Sequence, residues 1–353
     1  MKKIILTGGG TAGHTTPNLA LLPYLKEDNY EIHYIGSENG IEKSIISGIS
    51  EITYHGIKSG KMRRYFSMKN FTDPVRIIKG YFEAKKLMKQ IKPDIVFSKG
   101  GFVTVPVVRA AHAYKIPVIS HESDITPGLA NKLSKKYATR ICLTFPDVLK
   151  EIKPPLGVYT GSPIRSELYS GSARKARKML GFDSKPVLLM MGGSLGAKTI
   201  NTVLREALPE LLKDLNVIHL CGKDNIEEEL NSLKGYAQFE YITEGLADVL
   251  ALSDYILSRA GSNSIHEFLA LKKPMLLIPL PLSASRGDQI LNAESFASRN
   301  FALVLNQEDL NMDSLIRNIH KLRQKSHEMI KSMESETNID GTKAICEIIR
   351  TTV

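Results

Sequence analysis

Apolar runs of strand length alternate with helix-length segments along the whole chain. They occupy residues 3–7, 31–36, 51–55, 93–98, 117–121 and 139–143, then 186–191, 215–220, 237–242, 254–258, 274–278 and 301–304. A short, uninterrupted apolar run suits a strand buried on both faces, and the segment after it is long enough to return across the sheet as a helix. Repetition of that unit predicts α/β domains whose parallel sheets are covered by helices on both sides. Between the two series, proline and glycine cluster from Lys153-Pro154-Pro155 to Gly161-Ser162-Pro163, which marks a linker. At 353 residues the chain is long enough for two cores. The expectation is two doubly wound, Rossmann-like domains facing a cleft, 1–162 and 163–340, with a last helix over 341–353 that packs back on the first.

Two of the apolar runs end in glycine-rich turns at matching places, Gly8-Gly9-Gly10-Thr11-Ala12-Gly13-His14 and Gly192-Gly193-Ser194-Leu195-Gly196. A turn of this kind between a strand and a helix aims backbone N–H groups and the positive end of a helix dipole at an anion. Gly8, Gly10 and Gly13 satisfy GxGxxG, and Glu38 follows the second strand where a ribose-binding acid is expected, so a nicotinamide or flavin enzyme is one reading. The other rests on His14, directly after the last glycine, where an imidazole is suited to proton transfer beside a bound anion. A tight turn with no ligand is the plain alternative. The second turn is not a Walker A loop; it offers N–H groups and the Ser194 hydroxyl to a phosphate, or else caps a helix.

Four further stretches follow strands, and ligands of open α/β sheets bind at the carboxyl ends of strands. In Ser258-Arg259-Ala260-Gly261-Ser262-Asn263-Ser264-Ile265-His266-Glu267, Ser264 and Glu267 fit a capping box, or Glu267 accepts from two vicinal ribose hydroxyls. Arg286-Gly287-Asp288-Gln289 offers Gln289 to sugar hydroxyls. In the first half, Ser98-Lys99-Gly100-Gly101-Phe102 and His121-Glu122-Ser123-Asp124-Ile125-Thr126-Pro127-Gly128 share one side of their sheet. Glu122 and Asp124 suggest a metal, but no third ligand stands at suitable spacing and no DxD occurs, so no metal is expected.

The three cysteines, Cys142, Cys221 and Cys346, have no CxxC or CxxH spacing, which predicts neither a disulfide framework nor a zinc site and fits a reducing cytoplasm. Lys2 and Lys3 precede only three apolar residues, too few for a signal-peptide core, and no run approaches the roughly 20 residues of a membrane span. The formal net charge of +10 favours anionic partners. Much of it lies between 58 and 92, where Lys58, Lys61, Arg63, Arg64, Lys69, Arg76, Lys79, Lys85, Lys86, Lys89 and Lys92 interleave with Met62, Tyr65, Phe66, Phe71, Ile77, Ile78, Tyr81 and Phe82. That mixture suits an anionic membrane surface entered by apolar side chains. A helix with one buried and one solvated face is the alternative. No nucleic-acid-binding motif accompanies the charge.

The stretches GGTAGH at 9–14, SKGGFVTVP at 98–106, HESDITPGLANK at 121–132, GSPIR at 161–165, MGGSLGAK at 191–198, SRAGSNSIHE at 258–267 and GDQILNA at 287–293 run through nearly the whole chain. In this order they resemble the GT-B glycosyltransferases, and among them the peptidoglycan enzymes that add N-acetylglucosamine to lipid I. The resemblance implies inverting, metal-independent transfer from UDP-N-acetylglucosamine to the N-acetylmuramyl 4-hydroxyl of undecaprenyl-linked lipid I, with no cofactor, at the cytoplasmic face of the cell membrane, and so a part in cell-wall biogenesis, cell shape and division. Carried over by position, Arg165 and Ser194 contact the donor diphosphate, Ser262 to Glu267 the uridine and its ribose, a backbone group of Thr243 the uracil, and Gln289 the sugar. Thr11, Ala12, Gly13 and His14 border the sugar and the acceptor diphosphate, with His14 or Asp124 as general base. The chain departs from many relatives at Ala12, where they have glycine, and from some at Asp124, where they have Asn. Neighbouring readings are a diacylglycerol glycosyltransferase or a UDP-N-acetylglucosamine 2-epimerase of the same fold.

Overall fold

A computed structural model of the chain describes residues 1–60, 69–192 and 197–353, with side chains outside 69–74. The chain divides into two compact units, Met1–Arg165 with Asp340–Val353, and Ser166–Ile339. The first contains β1 (Lys3–Thr7), α1 (Ala12–Ala20), α2 (Leu22–Glu27), β2 (Glu31–Ser37), α3 (Ile41–Ile46), β3 (Ile52–Ile57), α4 (Lys69–Ile91), β4 (Ile95–Ser98), α5 (Thr104–Ala113), β5 (Val118–Glu122), α6 (Leu129–Ser134), β6 (Arg140–Leu143) and β7 (Gly157–Tyr159). The second contains α7 (Ala173–Leu180), β8 (Val187–Met191), α8 (Lys198–Asp214), β9 (Asn216–Leu220), β10 (Tyr236–Phe239), α9 (Leu246–Leu252), β11 (Tyr255–Ser258), α10 (Ser262–Ala270), β12 (Met275–Leu277), α11 (Asp288–Ser298), β13 (Ala302–Val304) and α12 (Met312–Glu334). The chain ends in α13 (Thr342–Thr352), which belongs to the first unit.

Both sheets are parallel, ordered β3-β2-β1-β4-β5-β6-β7 and β10-β9-β8-β11-β12-β13. The central runs are strands buried along their length, such as Ile95–Ser98 and Asn216–Leu220, because helices cover both faces, whereas edge strand β3 has exposed and half-buried positions between its buried ends Ile52 and Ile57. The segment 153–163, which composition marks as a linker, holds β7, paired with β6 through Ile141, Cys142 and Leu143. Three residues leave too short an apolar run to stand out in the sequence.

α13 completes the first core: Ile345, Cys346 and Ile349 pack with Ile4, Leu6, Tyr34 and Phe97. Its entry is fixed by Gly341 N–H donating to Ser162 O at 2.7 Å and by Thr342 Oγ1 accepting from Ile164 N at 3.0 Å. A Cβ at Gly341 would lie 2.7 Å from the Gly161 carbonyl oxygen, so this approach requires glycine.

In each sheet the strand order reverses next to the first strand of its series, at β1/β4 and at β8/β11. Helices leave such a pair toward opposite faces, which opens a crevice at the carboxyl ends. Among the described residues, the glycine-rich stretches after β1, β4 and β11 emerge at one of these two places.

Candidate active site

In the first unit, β1 runs into the loop 8–11 and then α1, whose first turn carries Ala12, Gly13 and His14. His14 and Ala12 are half-buried, and Thr11, the N-cap, is exposed with an extended backbone. The loop is built from beneath by residues without sequence signal. Tyr34 of β2 donates to the Gly8 carbonyl at 2.8 Å and receives a bond from Asn18 of α1 at 3.2 Å. Glu42 of α3, fully buried, accepts from Gly10 N–H at 3.1 Å and from Ser37 N–H at 2.9 Å. An internal carboxyl group therefore occupies the Gly10 donor that a dinucleotide pyrophosphate would need. Glu38, the acid expected for a ribose, donates through its backbone N–H to Ile57 O at 3.2 Å. The GxGxxG spacing is met, but the nicotinamide or flavin reading loses its physical basis.

Beside this loop, β4 and β5 end in the other two first-unit stretches. Lys99 N–H donates to Thr7 O at 2.9 Å, and Gly9 N–H to Gly100 O at 3.3 Å, so the loops after β1 and β4 are bonded to each other. Gly101 has φ +92°, and the Gly9 carbonyl stands where a Cβ would be. Glu122, at the end of β5, accepts from Asp124 N–H at 3.2 Å, Gly128 N–H at 3.1 Å and Asn131 Nδ2 at 2.8 Å. Burial raises its carboxyl above the ordinary carboxylate value. Both oxygens are thus spent on shaping the loop that presents half-buried Asp124. Lys99 is only 1% exposed, and its ammonium donates to Ser123 Oγ. Burial brings it down to about 8, against the opposing pull of Glu122 and Asp124. Arg165, half-buried, is the last residue of this unit's first segment.

On α4 of the same unit, Val75, Ile78 and Phe82 are 53%, 57% and 63% exposed, with Arg76, Lys79, Lys86 and Lys89 also exposed. Residues three and four apart share a helix face, so the three apolar side chains form one stripe. Tyr81 turns the other way, packing on the core below Arg109, and Ile77 is half-buried. Met62, Arg63, Arg64, Tyr65 and Phe66 lie outside the described residues, as does the side chain of Phe71.

In the second unit, Ser194 lies outside the described residues. Described strand ends of this unit are stitched together: Ser258 Oγ donates to Met191 O at 2.7 Å, joining β11 to the end of β8. Arg259 donates to the Ile278 and Pro279 carbonyls at 3.1 and 3.3 Å and to Gln307 Oε1 at 2.6 Å, and Asn292 donates to Ala260 O at 3.2 Å. These bonds fix the loop after β11 against the loop after β12 and bring Ser262 to Glu267 and Gln289 to one edge. Gln289 Oε1 accepts from Leu280 N–H at 3.1 Å. That bond orients the amide, with Nε2 as its donor end. Thr243 is exposed between β10 and α9.

The helix register corrects one reading of the sequence. α10 begins at Ser262 with Gly261 as N-cap, so Ser264 is its third residue and Glu267 its sixth. A capping box over Ser264 and Glu267 does not form. Ser262, Ile265 and His266 are buried, with His266 Nδ1 donating to Ser262 O at 2.8 Å, while Asn263, Ser264 and Glu267 are half-buried. Arg259, Glu42 and Lys99 are loop supports to which motif reasoning gave no role. For Arg259 and Lys99 the available signal was a long cation placed directly after a buried strand.

Residues 4–143 match the glycosyltransferase family 28 N-terminal domain, and residues 187–348 match its C-terminal domain. The UDP-N-acetylglucosamine--N-acetylmuramyl-(pentapeptide) pyrophosphoryl-undecaprenol N-acetylglucosamine transferase of Clostridium botulinum strain Langeland is 56% identical over 351 residues, 99% of each chain. The protein of the same name from Lachnospira eligens is 55% identical over 351 residues, again 99% of each. Among solved structures, Acinetobacter baumannii MurG superposes with a TM-score of 0.77 at 24% identity, covering 99% of this chain and 100% of that one. The UDP-GlcNAc 2-epimerase of Neisseria meningitidis superposes with a TM-score of 0.68 at 16% identity, covering 100% and 99%. With both domains matched in order, and more than half of its residues shared with these transferases, the chain belongs to glycosyltransferase family 28 and is a glycosyltransferase of GT-B fold.

Proposed function

We propose that this protein transfers N-acetylglucosamine from UDP-N-acetylglucosamine to the 4-hydroxyl of the N-acetylmuramyl group of lipid I, with inversion and without a metal, to give lipid II. The observation that carries this reading is the identity of 56% over 99% of both chains with a transferase named for that donor and that acceptor. The matching epimerase fold carries no such weight, because it is alike in fold alone. In this scheme the second unit takes the donor. Ser262 to Glu267 meet the uridine and its ribose, the Thr243 backbone reads the uracil, and Gln289 gives its Nε2–H to the sugar. Arg165 and Ser194 contact the diphosphate.

The first unit takes the acceptor. The imidazole of His14 receives the proton of the attacking hydroxyl as its oxygen bonds to the anomeric carbon and the bond to UDP breaks on the opposite face. Asp124 accepts from a sugar hydroxyl, or takes the proton in place of His14. The negative charge that develops on UDP falls to loop N–H groups, a helix N-terminus and Arg165. The exposed apolar stripe of α4, flanked by cations, supports association with the anionic cytoplasmic membrane surface, where an undecaprenyl-linked acceptor resides. No described helix is long and apolar enough to cross a membrane.

The test is transfer of labelled N-acetylglucosamine from its UDP donor to a short-chain lipid I analogue, in parallel with diacylglycerol and with sugar nucleotide alone, both with and without excess EDTA. Product from lipid I in EDTA, with a β1,4 linkage, is expected. Product from diacylglycerol, or epimerised nucleotide without acceptor, overturns the substrate, and EDTA loss restored by Mg²⁺ overturns the metal-free step.

A further inference from the structure

An ammonium removed from water is expensive unless charge and hydrogen bonds compensate it, and a Met or Leu side chain fills the same volume without that cost. Lys99 is nevertheless among the largest fully buried side chains of the protein. Its backbone is bonded to Thr7 at the end of β1, just before the glycine loop that leads to His14, and its side chain runs to Ser123 in the loop that presents Asp124. Two carboxylates, Glu122 from β5 and Asp124 from the loop, act on its charge. The position therefore holds a cation where an apolar side chain would fill the volume at less cost, and it links the two loops that bear the candidate bases.

We propose that Lys99 is a positioning residue for the acceptor site: its buried ammonium is the counter-charge that holds loop 122–128, and with it Asp124, in the conformation that transfer requires. This role rests on the function proposed above. Lys99 touches no substrate; it acts through Ser123, Glu122 and Asp124. Without the cation, the buried Glu122 carboxylate loses its partner in a low-dielectric site and takes up a proton, which removes an acceptor for the Asp124 and Gly128 N–H groups. The loop then loosens where the acceptor is to be aligned.

The test compares the wild type with Lys99→Met, Asp124→Asn and the double variant. In Lys99→Met, hydrogen exchange across 122–131 rises about tenfold while the rest of the first unit keeps its protection. The kcat/KM for the lipid I analogue falls about tenfold or more, the KM for UDP-N-acetylglucosamine stays within about threefold, and the loss shrinks in the Asp124→Asn background. Unchanged exchange, or the same loss in both backgrounds, overturns the proposal. Should Lys99→Met fail to fold, the wild type decides. Its kcat/KM for the acceptor falls reversibly as pH rises through about 8, where Lys99 loses its charge. Burial disfavours the charged form in the folded state, so this group's own contribution to stability rises with pH above that point, and Tm does not fall with the activity. A flat profile from about pH 7 to 9.5 overturns the role. Absence of transfer by the wild type counts against the proposed function, while hydrogen exchange still judges Lys99.

Discussion

At the scale of residues, the two candidate bases differ in how they are held. His14 sits on a helix in the first turn of α1, and Asp124 on a loop shaped by Glu122 beneath it. His14→Ala is expected to lower kcat by roughly 10²- to 10⁴-fold, the usual worth of a positioned general base, with the donor KM little changed in steady-state transfer assays. Retention of near-normal kcat assigns the proton to Asp124, and Asp124→Asn then shows the loss. Glu42 touches neither substrate in the proposed scheme, yet it satisfies the N–H groups of Gly10 and Ser37. Glu42→Ala leaves both without that acceptor and is expected to cost about 1–3 kcal/mol in denaturant unfolding. A change below about 0.5 kcal/mol would show that water replaces the carboxylate.

At the scale of elements, α4 departs most from a simple division into inner and outer faces. Ala84 and Met88 enter the core, whereas Val75, Ile78 and Phe82 stand in solvent among lysines and Arg76. Because Ile78 and Phe82 are exposed, replacing both with Glu spares the fold. The double variant is expected to keep its melting temperature and to lose most of its binding to anionic vesicles in flotation. Equal flotation of both proteins removes α4 from the membrane surface. The sequence interleaved cations and apolar residues here without showing which apolar ones face outward. The turn of the helix decides that, and it sends Tyr81 to the core beneath Arg109.

At the scale of the whole molecule, a net charge of +10 adds a long-range term to that binding. Vesicle association is expected to weaken as salt rises from about 0.05 to 0.5 M, since screening shortens the Debye length from over 10 Å to a few Å. Salt-independent binding points to the apolar stripe alone. The alternation of apolar runs was enough to read two parallel sheets, because burial on both faces writes itself into each strand locally. The order of the glycine-rich stretches was enough to read the family. Three-residue β7 escaped because its signal is shorter than the pattern that identifies strands, and the capping box stayed open as one of two readings of Ser264 and Glu267 because local spacing does not fix where a helix begins. Above all, the sequence left open what lies beneath the motifs. Glu42 reaches Gly10 from 32 residues away, Lys99 reaches Ser123 from 24, and Arg259 reaches Gln307 from 48. Such partners are decided by strand order and packing, which bring together side chains that no local period or motif relates.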